Sequence, residues 1–166
     1  HQIARYFDKT AVGAWAKLTS DEPVSKIRQT VRVGRENIRN CILSWLPENM
    51  AGSRVLDAGC GTGAFAIDAA QKGAKVTAVD ISPSLIKIAR SRAPNFFDSK
   101  GSVDFFWGDM LDPAFGEFEH IVLMDSIIHY NVLFPTESYV GQNIYCAPQL
   151  YHISYNLRKI LVMLFQ

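Results

Sequence analysis

The sequence predicts an α/β fold in which a parallel β-sheet is flanked by helices. Short apolar runs typical of buried strands alternate with runs of helical spacing between residues 54 and 124. Strands that alternate with helices pair in parallel and are joined by right-handed crossovers. A glycine-rich turn at residues 59–63 follows the first strand and opens the next helix. Ligands of such sheets bind beyond the carboxyl ends of the strands, so we expect the functional site at that edge.

The composition indicates one globular domain with a substantial core. The chain has 166 residues, of which 48% are hydrophobic and 20% are charged, and this excludes disordered and fibrous classes. The formal net charge of +1 gives no general attraction to polyanions, so we expect no nucleic-acid partner and at most peripheral membrane contact. Because the sequence lacks a run of about 18 apolar residues, we expect a soluble protein.

The three cysteines, Cys41, Cys60 and Cys146, are spaced neither as CxxC pairs nor as metal ligands. The simplest interpretation is a reducing, cytoplasmic compartment in which they remain thiols. We therefore expect no metal site built from protein ligands.

Residues 1–47 are predicted to form a helical amino-terminal cap. Aromatic residues scattered among small and polar ones in residues 1–20 favour a short helix or a closing flap. Apolar residues then recur at helical spacing and predict a long helix, with Asp21 or Ser25 as its N-cap, that ends before Pro47.

Four arginines share one face of this long helix. Arg28, Arg32, Arg35 and Arg39 are separated by four, three and four residues, which aligns their guanidinium groups. Runs of charge usually form a solvated helix face. The alternative is a contact with an anionic substrate or partner, and the sequence leaves both interpretations open.

Residues 48–130 carry the alternating elements of the core. Two helices are predicted, one over residues 64–72 that Gly73 ends, and one that Ser82 caps and that ends before Pro94. The predicted strands cover residues 54–56, 75–80, 103–107 and 120–124.

Beyond Tyr130 the pattern deteriorates. Residues 131–149 mix Pro, Gly, Tyr and Asn without clear periodicity, and only residues 160–165 have the composition of a buried strand or helix end. Because four strands are few for this architecture, we expect an atypical or incomplete segment at 131–166 and a fold that lacks its carboxyl-terminal strands.

Acidic residues mark the end of every predicted strand: Asp57, Asp80, Asp109 and Asp125. The glycine turn after Asp57 also matches the pattern of dinucleotide-binding turns, so the glycines alone do not identify the ligand. A carboxylate two residues before the first glycine would repel a pyrophosphate, whereas it could accept a hydrogen bond from an ammonium or a hydroxyl. This favours a cationic ligand without phosphate.

S-adenosylmethionine has these properties and is the predicted cofactor. We expect Asp57 to face its ammonium group, Asp80 to accept from the ribose hydroxyls, Asp109 to accept from the adenine amine and Met110 to pack on the adenine ring. We expect further contacts from residues at the same strand ends: Gly59, Cys60, Gly61, Gly63, Ile81, Gly108 and Asp125. Cys60 is expected to act mainly by packing.

These residues resemble those of class I S-adenosylmethionine-dependent methyltransferases, which have a three-layer Rossmann-like fold. Segments 6–11, 24–35 and 43–47, together with 108–113 and 124–130, are similar to the magnesium-protoporphyrin IX O-methyltransferases of (bacterio)chlorophyll biosynthesis. The likeness covers residues 3–130. After Tyr130 the sequence departs from that family, which continues with more strands and a substrate-covering insertion.

The resemblance implies transfer of a methyl group to a propionate carboxylate of magnesium-protoporphyrin IX. A propionate is already ionised at neutral pH, so positioning should matter more than general-base catalysis. His129 and Tyr6 are the expected catalytic residues, as hydrogen-bond donors to that carboxylate. The expected substrate contacts are Trp15, Ile27, Arg28, Ile128 and Tyr130, with Arg28 facing the second propionate.

The family also implies partners and a location. The magnesium ion belongs to the substrate, which the porphyrin-binding subunit of magnesium chelatase could deliver. The expected location is the bacterial cytoplasm with peripheral membrane association, or the plastid of a eukaryote.

Three alternatives remain at this stage. The acceptor could be another small hydrophobic molecule, such as a quinone precursor or a phenol. The chain could instead be a noncatalytic porphyrin or cofactor carrier. A nicotinamide dehydrogenase is disfavoured by the position of Asp57.

Overall fold

The computed structural model describes residues 12–20 and 23–124, and the backbone of residues 143–147. The helices in these ranges are α1 (Val12–Leu18), α2 (Lys26–Trp45), α3 (Ala64–Gln71) and α4 (Pro83–Arg92). The strands are β1 (Arg54–Ala58), β2 (Lys75–Asp80), β3 (Ser102–Trp107), β4 (His120–Met124) and β5 (Asn143–Ala147). A 3₁₀ turn covers Pro113–Phe115.

The strands form one parallel sheet in the order β3-β2-β1-β4-β5. The order reverses direction between β1 and β4, and such a switch point is where open α/β sheets bind ligands. Asp57 lies in register with Ala78 of β2 and Val122 of β4, so it is central in the sheet. The α/β class and the parallel pairing predicted from the sequence are confirmed.

Strand β5 is the element that sequence analysis missed. It pairs in parallel with β4 over Asn143–Ala147, inside a segment judged to have no periodicity. Its five residues include two polar or aromatic positions, Asn143 and Tyr145, and so do not form the apolar run that identifies a buried parallel strand.

Local signals set the element boundaries as predicted. Ser25 caps α2, and its Oγ atom accepts a hydrogen bond from the backbone N–H of Arg28 at 3.5 Å. Ser82 caps α4 in the same way, accepting from Leu85 at 3.3 Å. Side-chain capping satisfies N–H groups that have no partner within the helix.

The sheet separates two apolar clusters. The main cluster joins the sheet to α2, α3 and α4 through residues such as Ile42, Phe65, Ile86 and Phe105. The second cluster lies on the opposite face and comprises Leu56, Ala58, Val79, Met110, Phe118, Ile121 and Leu123. Helices therefore cover the face from which Asp57 projects, because side chains alternate between faces and both Leu56 and Ala58 belong to the other cluster.

Only the carboxyl half of α2 is buried. Ile38, Ile42 and Leu43 belong to the main cluster, whereas Ile27 is 80% exposed. The predicted apolar stripe of this helix is therefore half core and half surface. The boundary at residues 47/48 between cap and core stays a prediction. Within the described ranges, no helix is both long enough and apolar enough to cross a membrane.

Candidate cofactor site

The glycine turn between β1 and α3 uses backbone conformations that favour glycine. Gly59, Gly61 and Gly63 have φ angles of 84°, 54° and 79°, in the left-handed region where side chains are strained. A Cβ atom at Gly63 would also lie 2.7 Å from the Phe105 ring and 3.0 Å from Ala89. A Cβ atom at Gly61 would meet nothing within 4 Å. Gly63 thus serves packing, while Gly61 leaves open space.

The backbone donors of the turn are already engaged within the protein. Gly59 and Cys60 both donate to the carbonyl of Val79, at 2.8 and 3.0 Å, and Gly63 donates to that of Cys60 at 2.9 Å. Gly61 donates to Oδ2 of Asp80 at 2.8 Å. These four N–H groups therefore have acceptors within the protein, and the cofactor contacts expected at Gly59, Cys60, Gly61 and Gly63 stay predictions. A pyrophosphate would find these four donors already engaged, which weakens the dinucleotide interpretation.

Asp57 is the most deeply buried charged group near the turn, with 2% of its surface exposed. The backbone N–H of Ala66, in the first turn of α3, lies near this carboxylate and acts to lower its pKa. No donor among the described residues reaches its Oδ2 atom. Burial, and secondarily the negative charge of Asp80, raises the pKa of Asp57 to about 7. A buried acceptor without a donor is rare and costly, so it points to a group that a ligand would satisfy.

Asp80 lies beside Asp57 at the end of β2 and is held rigidly. Its Oδ2 accepts from Gly61 and its Oδ1 accepts from the backbone N–H of Ser82, each at 2.8 Å. Burial raises the pKa of Asp80, and these hydrogen bonds act in the opposite direction. Each oxygen keeps a further lone pair, so the fixed carboxylate can also accept from a ligand hydroxyl.

The third strand end is tied to the second. Gly108 donates to the carbonyl of Asp80 at 3.0 Å, and Asp109 is exposed, with its Oδ1 accepting from Leu111 at 2.9 Å. Met110 is 6% exposed and belongs to the second apolar cluster. The roles of Asp109 and Met110 toward adenine stay predictions.

Trp107 was missed by the sequence analysis. Its indole N–H donates to the carbonyl of Ile81 at 3.1 Å, so it bridges the ends of β3 and β2. Its position directly before Gly108-Asp109, at a predicted strand end, was the available signal.

Cys60 packs against the main cluster, as expected. Burial raises the pKa of its thiol, and the charges of Asp57 and Asp80 raise it further. The thiol therefore stays protonated at neutral pH and is a poor nucleophile.

Several predicted site residues fall outside the described residues: Tyr6, Asp125, Ile128, His129 and Tyr130. Of the remaining substrate candidates, Ile27 and Arg28 are exposed in the first turn of α2. Trp15 lies in α1, with the Arg35 guanidinium 4.0 Å from the centre of its ring.

Most of the arginine face binds the protein itself. Arg32 donates to the carbonyl of Lys17 at 2.7 Å and to that of Leu18 at 3.3 Å, while Arg35 stacks on Trp15. These contacts join α2 to the carboxyl end of α1, where helix carbonyls need donors. Two of the four arginines therefore position the cap.

Two further arginines complete this arrangement. Arg39 forms an ion pair with Asp68 of α3, with 2.8 Å between Nε and Oδ2 but without the alignment of a hydrogen bond. Arg92 of α4 donates to both oxygens of Thr19, at 2.8 and 2.9 Å, and to the carbonyl of Ala16 at 3.0 Å. Among the residues that the structure covers, no cluster of His, Cys, Asp or Glu could hold a metal ion.

Comparison with protein-family models matches residues 55–139, from β1 past β4, to a methyltransferase domain. The match spans 85 of the 166 residues and includes the glycine turn, Asp57, Asp80 and Asp109. The chain belongs to the methyltransferase-domain family. The resemblance to methyltransferases noted in the sequence is confirmed by this match.

Comparison with individual proteins gives more specific relatives than the family model does. The chain is 53% identical over 131 residues to the magnesium-protoporphyrin O-methyltransferase of Rhodobacter capsulatus. The aligned region covers 78% of this chain and 58% of that protein. The chain is 37% identical over 84 residues to a ubiquinone biosynthesis O-methyltransferase of Xanthomonas oryzae, covering 49% and 34% of the two chains. The chain thus spans less than two thirds of the length of these relatives.

A solved structure supports the same relationship. The crystal structure of magnesium protoporphyrin IX methyltransferase from Synechocystis with bound SAM matches with a TM-score of 0.71 and 30% identity, covering 82% of this chain and 64% of that one. The Rossmann-like class I methyltransferase fold, and the resemblance to the magnesium-protoporphyrin methyltransferases, are confirmed by these findings.

Proposed function

We propose that this methyltransferase domain transfers a methyl group from S-adenosylmethionine to a propionate carboxylate of magnesium-protoporphyrin IX, giving the monomethyl ester. The observation that supports methyl transfer is the buried Asp57, whose Oδ2 meets no donor in the described part of the chain. It lies beside a turn in which the N–H groups of Gly59, Cys60 and Gly63 donate within the protein. The 53% identity to the Rhodobacter capsulatus enzyme supports the acceptor.

The residues at the strand ends fit the proposed cofactor. Asp57 would accept a hydrogen bond from the ammonium group, and Asp80 would accept from the ribose hydroxyls. At Gly61 the ligand could approach the backbone closely. Asp57 has the opposite charge to an ammonium, and its empty acceptor position supplies the hydrogen bond. When bound, S-adenosylmethionine supplies an electrophilic methyl group on a sulfonium. The relative from Synechocystis was solved with SAM bound.

The chain's part in the reaction is to hold and desolvate the acceptor. An ionised carboxylate needs no base, so the rate depends on bringing one oxygen into line with the methyl group and removing its water. We assign His129 and Tyr6 as donors that orient this carboxylate. Trp15, Ile27, Ile128 and Tyr130 would contact the macrocycle, and Arg28 the second propionate.

The acceptor is tested by incubating the chain with methyl-labelled S-adenosylmethionine and one of three acceptors: magnesium-protoporphyrin IX, metal-free protoporphyrin, or a panel of phenols. We expect label in a porphyrin monomethyl ester, with the magnesium porphyrin used best. Equal or faster labelling of the phenols would reject the porphyrin assignment. Tight porphyrin binding without any transfer of label would instead indicate a carrier.

A quinone precursor is the second candidate acceptor, because the chain is 37% identical over 84 residues to the ubiquinone biosynthesis enzyme. That shorter match makes it the weaker candidate. Delivery by the porphyrin-binding subunit of magnesium chelatase and peripheral membrane association belong to the same proposal. Pull-down with that subunit and flotation with anionic vesicles test them.

A further inference from the structure

Trp107 is a large aromatic residue in an unusual position at the end of β3. Its side chain is held by the hydrogen bond from the indole N–H to the Ile81 carbonyl, at 3.1 Å. The residue is nevertheless 67% exposed. An indole that is both fixed and exposed presents a rigid apolar face, at the edge of the sheet where the cofactor is proposed to bind.

The register of the sheet puts Trp107 next to Asp80. The two residues are paired between β2 and β3. Phe105, two positions earlier on β3, is buried in the main cluster, and Ala78, two positions before Asp80, is in the same cluster. Since strand side chains alternate between faces, Trp107 and Asp80 project from the same face. The indole is therefore one strand further out than the carboxylate assigned to the ribose.

The bond to Ile81 also fixes the turn between β2 and α4. Asp80 is held through its carbonyl by Gly108, and Ser82 donates to the Asp80 carboxylate. The hydrogen bond from the Trp107 indole N–H fixes Ile81, which lies between Asp80 and Ser82. All three consecutive residues of this turn are thereby tied down by β3 or by each other.

We propose that Trp107 is a positioning residue for the adenine end of the cofactor: its N–H fixes the backbone at Ile81, and its ring forms the outer wall beside the end of β3. This inference rests on the proposed function, because it assumes that S-adenosylmethionine extends from Asp57 past Asp80 toward β3. A planar aromatic face beside a purine stabilises it by stacking, and the fixed indole loses little conformational freedom on binding.

The test uses Trp107→Leu and Trp107→Phe in the full chain, with Phe96→Leu as the control. Phe96 is 76% exposed but lies in the loop between α4 and β3, away from the strand ends. Calorimetric titration with S-adenosylhomocysteine should show about tenfold weaker binding for Trp107→Leu, because both stacking and the hydrogen bond are lost. Trp107→Phe keeps a ring and loses only the N–H, so we expect about threefold weaker binding. Phe96→Leu should bind like the parent chain.

Two further readouts separate this role from a general effect on folding. Adenosine alone should lose affinity by the same factors as S-adenosylhomocysteine, since Trp107 is assigned to the adenine end. Binding should quench tryptophan fluorescence in the parent and in Trp15→Phe, and the quenching should disappear in Trp107→Phe.

The outcomes distinguish the two proposals. If the parent binds S-adenosylhomocysteine and both Trp107 variants bind it within twofold of the parent, the role of Trp107 is rejected while the cofactor assignment stands. If the parent binds neither S-adenosylhomocysteine nor adenosine, the proposed cofactor fails and the role of Trp107 fails with it. Should Trp107→Leu not fold, the Trp107→Phe titration and its fluorescence decide.

Discussion

Asp57 determines how cofactor binding depends on pH. With a folded-state pKa of about 7, this carboxyl is largely neutral at pH 6 and ionised at pH 8. An ammonium group prefers the ionised form, so binding below pH 7 must first remove a proton. We predict that the affinity for S-adenosylhomocysteine, measured by calorimetry, falls by about tenfold for each pH unit below 7.

Asp57→Asn provides the control for this prediction. Asparagine keeps an oxygen acceptor for the Ala66 N–H but cannot titrate, so the variant should bind weakly with the same affinity at pH 6 and pH 8. A pH dependence that persists in Asp57→Asn would assign the titration to another group.

The same carboxyl affects stability without ligand. The folded pKa of about 7 exceeds the ordinary aspartate pKa of 3.8, so the native chain holds an extra proton between these limits. The contribution of Asp57 to the free energy of unfolding is therefore full below about pH 4, declines as pH rises, and is lost above 7. We expect Asp57→Asn to be more stable than the parent at pH 8 in urea denaturation. Equal stability of the parent and Asp57→Asn at pH 8 would show that burial of the ionised Asp57 carboxylate does not destabilise the fold.

The glycines of the turn have separable roles. Gly63→Ala introduces a Cβ atom 2.7 Å from the Phe105 ring at a φ of 79°, and should lower the free energy of unfolding by about 2–4 kcal/mol. Gly61→Ala meets open space and should cost only about 1 kcal/mol, from its positive φ. It should instead block the ligand and weaken S-adenosylhomocysteine binding more than it weakens the fold. Equal destabilisation by the two substitutions would contradict this division.

At the residue scale, the sequence allows an assignment where a single position is informative, and the role of Asp57 toward the cofactor stays a prediction. Asp57 was assigned because a carboxylate before a glycine turn is incompatible with a phosphate, whatever the detailed contacts. The engagement of the Gly59, Cys60 and Gly61 donors depends on Val79 and Asp80, which lie on the neighbouring strand. Such long-range hydrogen bonds leave no trace in local sequence.

At the scale of elements, α1 is held by arginines from two other helices. Arg92 contributes three hydrogen bonds to the carboxyl end of α1. We predict that Arg92→Ala lowers the free energy of unfolding by about 1–2 kcal/mol and increases amide hydrogen exchange in Val12–Leu18. Arg92→Lys should recover only part of the protection, because an ammonium cannot bond to both Ala16 and Thr19 as a guanidinium fork does.

The control for the α1 contacts lies on the same helix as Arg92. Lys87 is exposed on α4, so Lys87→Ala should leave exchange in α1 unchanged and alter stability by less than about 0.5 kcal/mol. If Arg92→Ala leaves the exchange of α1 unchanged as well, the helix is held by other contacts.

The helices and the first four strands could be predicted because caps, glycines and apolar periodicity mark them locally. The contacts of the four arginines on α2 could not be predicted. Their spacing correctly indicated a shared face, but whether guanidinium groups meet solvent, substrate or helix carbonyls depends on where α1 packs. Strand β5 was missed for a related reason, since its pairing partner, β4, defines it more clearly than its own five residues do.

At the scale of the whole molecule, the candidate site exists only when distant segments come together. Asp57, Asp80 and Trp107 lie at the carboxyl ends of three neighbouring strands, and the first turn of α3 brings the Ala66 N–H near Asp57. The unfolded chain cannot reproduce this arrangement. A ligand that binds the assembled strand ends must therefore stabilise the native state by mass action.

We predict that S-adenosylhomocysteine, at about 100 times its Kd, raises the free energy of unfolding by about 2.7 kcal/mol. The measurement is urea denaturation of the full chain at pH 8, with and without ligand. At the same ligand concentration, Gly61→Ala should lose most of this increment, because its fold is nearly intact but its site is obstructed. The increment in the parent should also shrink at pH 6, where Asp57 holds its proton. An unchanged midpoint for the parent would show that the strand ends do not form the binding site, whereas an equal gain in Gly61→Ala would place the ligand elsewhere on the molecule.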